Sequence, residues 1–104
     1  QIEEKLHAEL LRFATKETTF ERLYYHMNEF IVENGFVNLD FMGNLGHSIV
    51  KTKGDRVYIE KGNMTKLGDV KYCTFEPHIS FSDSKYGYKK ENIYYFNENG
   101  LMEL

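Results

Sequence analysis

The chain has no tryptophan, a single proline (Pro77), a single cysteine (Cys73) and no excess of basic charge. Each shortage excludes something. A lone cysteine cannot close an internal disulfide, so a reducing cytoplasm is the expected compartment. With 13 Lys and Arg against 16 Asp and Glu, the net charge is -3. That balance lacks the basic footprint of a nucleic-acid binder, and no nucleic-acid partner is expected. No apolar run approaches the length of a membrane span and the start carries no signal-peptide pattern, so no membrane partner is expected. Eight glycines and one proline are too few for a disordered linker. A phosphate-cradling loop is missing as well: Gly43-Asn44-Leu45-Gly46 leads into an expected strand, not a helix. No His or Asp stands at a telling offset from any Ser, so a serine triad has no support.

What is present is aromatic, with eight Phe and eight Tyr, in a chain of 104 residues. That length suits one domain or part of one, able to bury about 65% of its unfolded surface. Gln1 opens the sequence inside a helical pattern rather than with Met, which makes a piece of a longer protein the expectation. Ile2, Leu6, Leu10 and Phe13 recur at helical spacing and predict a helix over about residues 2–13. Thr18 followed by Glu21 reads as a capping box. Phe20, Leu23, Tyr24, Met27, Phe30 and Ile31 then form one apolar face, and Gly35 stops that second helix.

After Gly35 the period shortens toward two. Strands are expected over 47–50, 56–60, 70–81 and 91–96, with turns at Lys53-Gly54-Asp55, Lys61-Gly62-Asn63 and Ser82-Asp83-Ser84. Asn97-Glu98-Asn99-Gly100 closes a hairpin toward Leu101–Leu104. The plan is α+β: a helix pair over about 2–34, then a mainly antiparallel sheet over about 36–104.

Three places along that sheet could carry chemistry. Glu76 lies in an apolar, β-prone run directly before Pro77, where a carboxylate needs a partner or a metal. Pro77 removes a ladder donor, so the strand should end or bulge there and re-aim its side chains. The plainer reading is a structural salt bridge to Lys71 or Arg56. His47 follows Gly46, which would let backbone or ligand approach closely, yet alone it reads as a hydrogen-bonded structural histidine. Glu91, alone, reads as an edge carboxylate paired with Lys89 or Lys90. His78 could hold a substrate carboxylate, shuttle a proton or cap a strand. His7 and His26 read as solvated or capping side chains. Cys73 faces away from Glu76 by alternation and reads as a buried structural thiol. The Tyr24-Tyr25 and Tyr94-Tyr95 pairs read as core.

Taken in order, Gly46-His47-Ser48-Ile49, Thr74-Phe75-Glu76-Pro77 and Gly87-Tyr88-Lys89-Lys90-Glu91-Asn92 resemble three signatures of the pita-bread metallopeptidases. That family includes methionine aminopeptidase, aminopeptidase P, prolidase and creatinase. The spacing, 29 residues from His47 to Glu76 and 15 from Glu76 to Glu91, suits the prolidase and aminopeptidase P branch. The resemblance implies the C-terminal part of such a catalytic domain over 1–104, with two helices on a curved sheet, half of a pita-bread fold. It implies His47, Glu76 and Glu91 as metal ligands, with Glu76 also managing the proton of an attacking water, and His78 as a substrate-binding residue. The implied cofactor is a pair of divalent ions, Mn, Co or Zn, in the full-length parent. The implied reaction is hydrolysis of N-terminal peptide bonds next to proline.

Three departures shape that expectation. The family's two aspartate ligands come from an earlier segment, and Asp40, Asp55, Asp69 and Asp83 do not supply them. The family's second histidine, a few residues after the first, falls here on Gly54. Lys89 and Asn92 stand where the third signature has Arg and Asp. The chain alone is therefore expected to be inactive, with peptide substrate and the missing N-terminal half as partners. A lone half with an open strand edge leaves a homodimer open. The alternative is a relative without metal that serves as a peptide- or protein-binding module.

Overall fold

The structure, a computed structural model, describes residues 2–40, 44–49, 56–81 and 87–104. Helix α1 spans Ile2–Phe13 and α2 spans Phe20–Glu33. Both form where the 3.6-residue period places them. On α1, Leu6 and Leu10 are buried, and on α2 Phe20, Leu23, Met27 and Ile31. Side chains of this size each stabilise by about 1.5–3 kcal/mol when fully buried. The N-terminus of α2 differs from the capping-box expectation. Thr19 is the N-cap, its hydroxyl accepting from the Arg22 amide at 3.1 Å. Thr18 Oγ1 instead accepts from the Thr15 amide at 2.9 Å, and Glu21 accepts from the Gly62 amide at 2.7 Å. The Thr18–Glu21 pair is thus spent on the turn before α2 and on a distant loop. At the other end Asn34 caps the helix, and Gly35 takes φ +83°, the left-handed geometry that ends helices readily only at glycine.

The strands are β1 (Phe36–Asn38), β2 (Cys73–Phe75), β3 (His78–Phe81), β4 (Tyr88–Lys89), β5 (Asn92–Asn97) and β6 (Gly100–Glu103). They form two three-stranded antiparallel sheets, in the orders β1-β3-β4 and β2-β5-β6. The domain is therefore α+β as expected, with two sheets in place of one. The expected strand over 70–81 divides at Glu76-Pro77, where the proline has no N–H to give a ladder. The hairpin at Asn97–Gly100 forms as the sequence predicts, with Asn97 opposite Gly100.

The expected strands at 47–50 and 56–60 are reduced, among the described residues, to single bridges, His47 to Tyr58 and Ser48 to Cys73. The turn expected at 53–55 and the loop expected at 82–84 lie outside the described residues. Even so, residues 45–49 lie along β2: the Thr74 amide donates to the His47 carbonyl at 2.8 Å and the Glu76 amide to Leu45 at 2.8 Å. Gly46 makes that approach possible. A Cβ there would collide with the Thr74 carbonyl oxygen, and its φ of +154° also disfavours other residues. The core gathers Leu45, Ile59, Phe75, Ile79 and Tyr94 under the two helices. No helix among the described residues is long and apolar enough to cross a membrane.

Candidate functional site

The registers of the two sheets are one register. In β2–β5, Cys73 faces Tyr94, Thr74 faces Ile93 and Phe75 faces Asn92. In β3–β4, His78 faces Lys89 and Ile79 faces Tyr88. Continuing either ladder across the gap sets Glu76 opposite Glu91 and Pro77 opposite Lys90. The backbone groups of Ile93 point toward β6, because its carbonyl accepts from the Leu104 amide at 2.8 Å. Alternation then points Asn92, Tyr94 and Lys90 toward β2 and β3. Glu76, Pro77, Lys90 and Glu91 themselves lie between the strands, outside both ladders.

Glu76 sits on one wall of a cleft of about 340 Å³ whose lining includes Asp40, Asn44, His47, Tyr58, His78 and Lys89. Its Oε2 lies 3.6 Å from His47 Nε2, and its Oε1 lies 3.4 Å from Lys89 Nζ. Oε2 is buried without a hydrogen-bond partner. Burial pushes the Glu76 carboxyl up, but the Thr74 hydroxyl, Lys89 and His47 together outweigh it and hold the group below its ordinary value. The carboxylate is thus ionised near neutrality. The salt-bridge partners differ from Lys71 and Arg56: Lys71 Nζ lies 5.8 Å from the ring of Tyr72.

His47 has a defined tautomer. Its Nδ1 lies 2.8 Å from the Ser48 carbonyl, an acceptor only, so Nδ1 carries the proton. Its Nε2 lies 3.6 Å from the buried Oε2 of Glu76. A backbone carbonyl on the far nitrogen is also how metal-bound histidines are commonly oriented.

The structure brings His47, Glu76 and His78 to the cleft, with His78 exposed at its rim. The Glu91 side chain is exposed and is not part of the cleft lining. Among the described residues, no group of three His, Cys, Asp or Glu side chains lies close enough to hold a metal ion. The cleft brings together two potential donors, the His47 imidazole and the Glu76 carboxylate with its unpartnered oxygen.

Sequence reasoning missed Lys89, Tyr58, Asn44 and Asp40 as cleft residues. Lys89 was legible as a cross-strand neighbour of His78 only once the register was known. Asp40, whose Oδ2 accepts from the Asn44 amide at 2.9 Å, belongs to a loop with no periodic signal.

His7 is buried, contrary to expectation, whereas His26 keeps 31% of its side chain exposed. His7 is 4% exposed, with Nε2 donating to the Lys90 carbonyl at 2.9 Å and Nδ1 accepting from the Tyr94 hydroxyl at 2.6 Å. It lies under the sheet because α1 packs its 3, 7 and 10 positions there. His26 Nε2 lies 2.6 Å from Glu9, and its ring stacks on Phe13 at 3.7 Å between centroids. Cys73 is buried, and burial lifts its thiol to about 11, an unreactive state. Tyr94 is fully buried, whereas Tyr25 is 48% exposed. No protein-family pattern, curated protein or solved structure matches the chain in comparison with known proteins.

Proposed function

We propose that this chain is the C-terminal part of a metal-assisted peptidase of the pita-bread class, of the aminopeptidase P or proline dipeptidase kind. One observation carries the reading: a buried, unpartnered carboxylate oxygen of Glu76 lies 3.6 Å from His47 Nε2 in the cleft. The ordered motifs around these residues support it. His47 and Glu76 would hold a divalent ion, with Glu91 joining from the facing strand. Such an ion lowers the pKa of a bound water and polarises a peptide carbonyl.

The chain's own residues do the rest. The Thr74 hydroxyl and Lys89 keep Glu76 ionised. The Ser48 carbonyl keeps the His47 ring turned with Nε2 inward. His78 and Lys89, on the rim, offer positive or hydrogen-bonding groups to the carboxylate end of a short peptide. A set of three ligands is half of a dinuclear site, so the chain binds an ion but does not turn over substrate by itself.

The test is calorimetric titration of the chain with Mn²⁺ or Zn²⁺, followed by incubation with an Xaa-Pro dipeptide. One bound ion, lost in Glu76→Gln, with no hydrolysis, is expected. Binding that ignores Glu76→Gln, or hydrolysis by the lone chain, contradicts the reading.

A second reading has its own observation. Lys89 already supplies Glu76 with a cation, at 3.4 Å, while the Glu91 side chain is exposed. That is the arrangement of a metal-free module that binds a peptide in the cleft. Saturable binding of a peptide without added metal, weakened by Lys89→Met, favours it.

A further inference from the structure

We propose that Gly87 is a positioning residue, whose missing side chain seats the His78 imidazole at the rim of the cleft, beside Lys89, where the two receive the carboxylate end of a short peptide. The inference rests on the reading of the cleft as a peptide site and needs no metal.

The backbone brings His78 to the cleft. On one side the Leu39 amide donates to the His78 carbonyl at 2.7 Å, and on the other Lys89 faces His78 across β3–β4. Residues directly opposite one another project to the same face of a sheet, with Cβ atoms about 4.5–5.5 Å apart. Leu39, His78 and Lys89 thus form a row across the sheet, and all three line the cleft.

Among the described residues, none hydrogen-bonds the exposed His78 ring. Packing orients it instead. A Cβ built on Gly87 would lie 2.8 Å from His78 Nε2, 3.3 Å from its Cδ2 and 2.7 Å from Leu39 Cδ1. The imidazole therefore lies over the bare backbone of Gly87, with a Leu39 methyl against the same spot. The backbone does not demand glycine here: among the described residues, the left-handed glycines are Gly35, Gly46, Gly62 and Gly100. What Gly87 supplies is room. Gly46 differs, because its Cβ would meet a backbone oxygen, whereas at Gly87 the obstacles are the tips of two side chains. Gly87→Ala is thus absorbed by swinging His78 and Leu39 aside, not by moving a strand.

The chemistry of the row points to an anion. Lys89 Nζ lies 3.4 Å from Glu76 Oε1, which screens that carboxylate and leaves further ammonium protons for the cleft. One ring nitrogen of His78 carries a proton even in the neutral ring, so a second donor stands beside the first. Two donors from adjacent strands match the two oxygens of one carboxylate. The cleft, about 340 Å³, is at the small end of ligand pockets, which suits a dipeptide.

The test compares the whole chain as wild type, Gly87→Ala, His78→Leu and the double variant. Each is titrated by calorimetry with the dipeptide Ala-Pro and with its C-terminal amide, in the presence of a chelator. Nuclear Overhauser contacts of the His78 ring are read in parallel. Wild type should bind the acid about tenfold more tightly than the amide, the scale of one charge-assisted hydrogen bond. Gly87→Ala and His78→Leu should each cut that preference to about threefold or less. In Gly87→Ala the contact between the His78 ring and the backbone of position 87 should vanish, while the urea midpoint does not fall, because extended segments disfavour glycine. Gly87→Ala should add nothing in the His78→Leu background. A side chain at 87 that merely blocks the cleft would weaken acid and amide alike, with or without His78. That result, or an unchanged preference in Gly87→Ala, overturns the proposal and leaves peptide binding in the cleft standing. Failure of the wild type to bind either form overturns the peptide reading as well.

Discussion

Two carboxylates, Glu76 half-buried in the cleft and Glu3 buried on α1, carry shifts of opposite sign. Glu76 lies in the cleft and is held below the ordinary carboxylate range despite burial, by the Thr74 hydroxyl, Lys89 and His47. Glu3, 7% exposed on α1, has no hydrogen-bond partner on either oxygen, and burial lifts it to about 7 against the weaker pull of Lys90. The difference teaches that depth and partners together decide whether a carboxylate stays charged. The cleft sets three groups around one half-exposed anion. Behind the sheet, Lys90 alone opposes the deeper burial of Glu3.

The comparison can be broken most severely at Gly46. Gly46→Ala places a Cβ against the Thr74 carbonyl and forces an unfavourable φ, so residues 45–49 must leave β2. A loss of about 2–4 kcal/mol in urea unfolding is expected, together with the loss of the His47–Glu76 approach. Stability close to wild type would show that the approach is loosely held.

The next effect is at Glu3. Its folded-state pKa, about 7, lies above the ordinary 4.5. The folded state then binds more protons than the unfolded one between these values, so stability falls as pH rises through that window and levels off above it. Glu3→Gln should remove the slope and stabilise the protein above pH 7 by roughly 2–3 kcal/mol, read by thermal unfolding at several pH values. A wild-type curve flat from pH 4.5 to 7 would contradict the assignment.

Lys89 sharpens the comparison from the cleft side. Lys89→Met leaves Glu76 without its ammonium and with an open oxygen. Zn²⁺ affinity should tighten by about two- to fivefold, the scale of one partly exposed ion pair that no longer competes. An unchanged affinity would mean that the lysine leaves the site freely. The smallest effect is expected at Thr74→Val. Loss of one hydroxyl should raise the Glu76 pKa and cost about 1 kcal/mol or less.

Much of this was legible in the sequence where local rules act alone. Both helices follow from the spacing of Leu6, Leu10, Leu23, Met27 and Ile31, and the break at Glu76-Pro77 follows from the missing proline donor. The N-cap was misplaced by one residue because Thr18 and Thr19 both qualify, and the choice depends on Gly62, which draws Glu21 away. His7 reads as solvated or capping because an imidazole on a charged helix gives no sign of the Lys90 carbonyl that it meets, 83 residues along the chain. Lys89 entered the cleft through register, which no single strand encodes. His47 and Glu76 meet in the cleft at 3.6 Å, whereas the Glu91 side chain is exposed.

Carbon-13 carboxyl spectroscopy of the glutamate-labelled chain, titrated with pH and then with Zn²⁺, tests the central claim most directly. The account predicts that Glu76 titrates below the ordinary value, that Glu3 titrates near 7, and that Zn²⁺ moves Glu76 and Glu91 but leaves Glu3 in place. A Glu76 that titrates as a free carboxylate and ignores Zn²⁺ would contradict it.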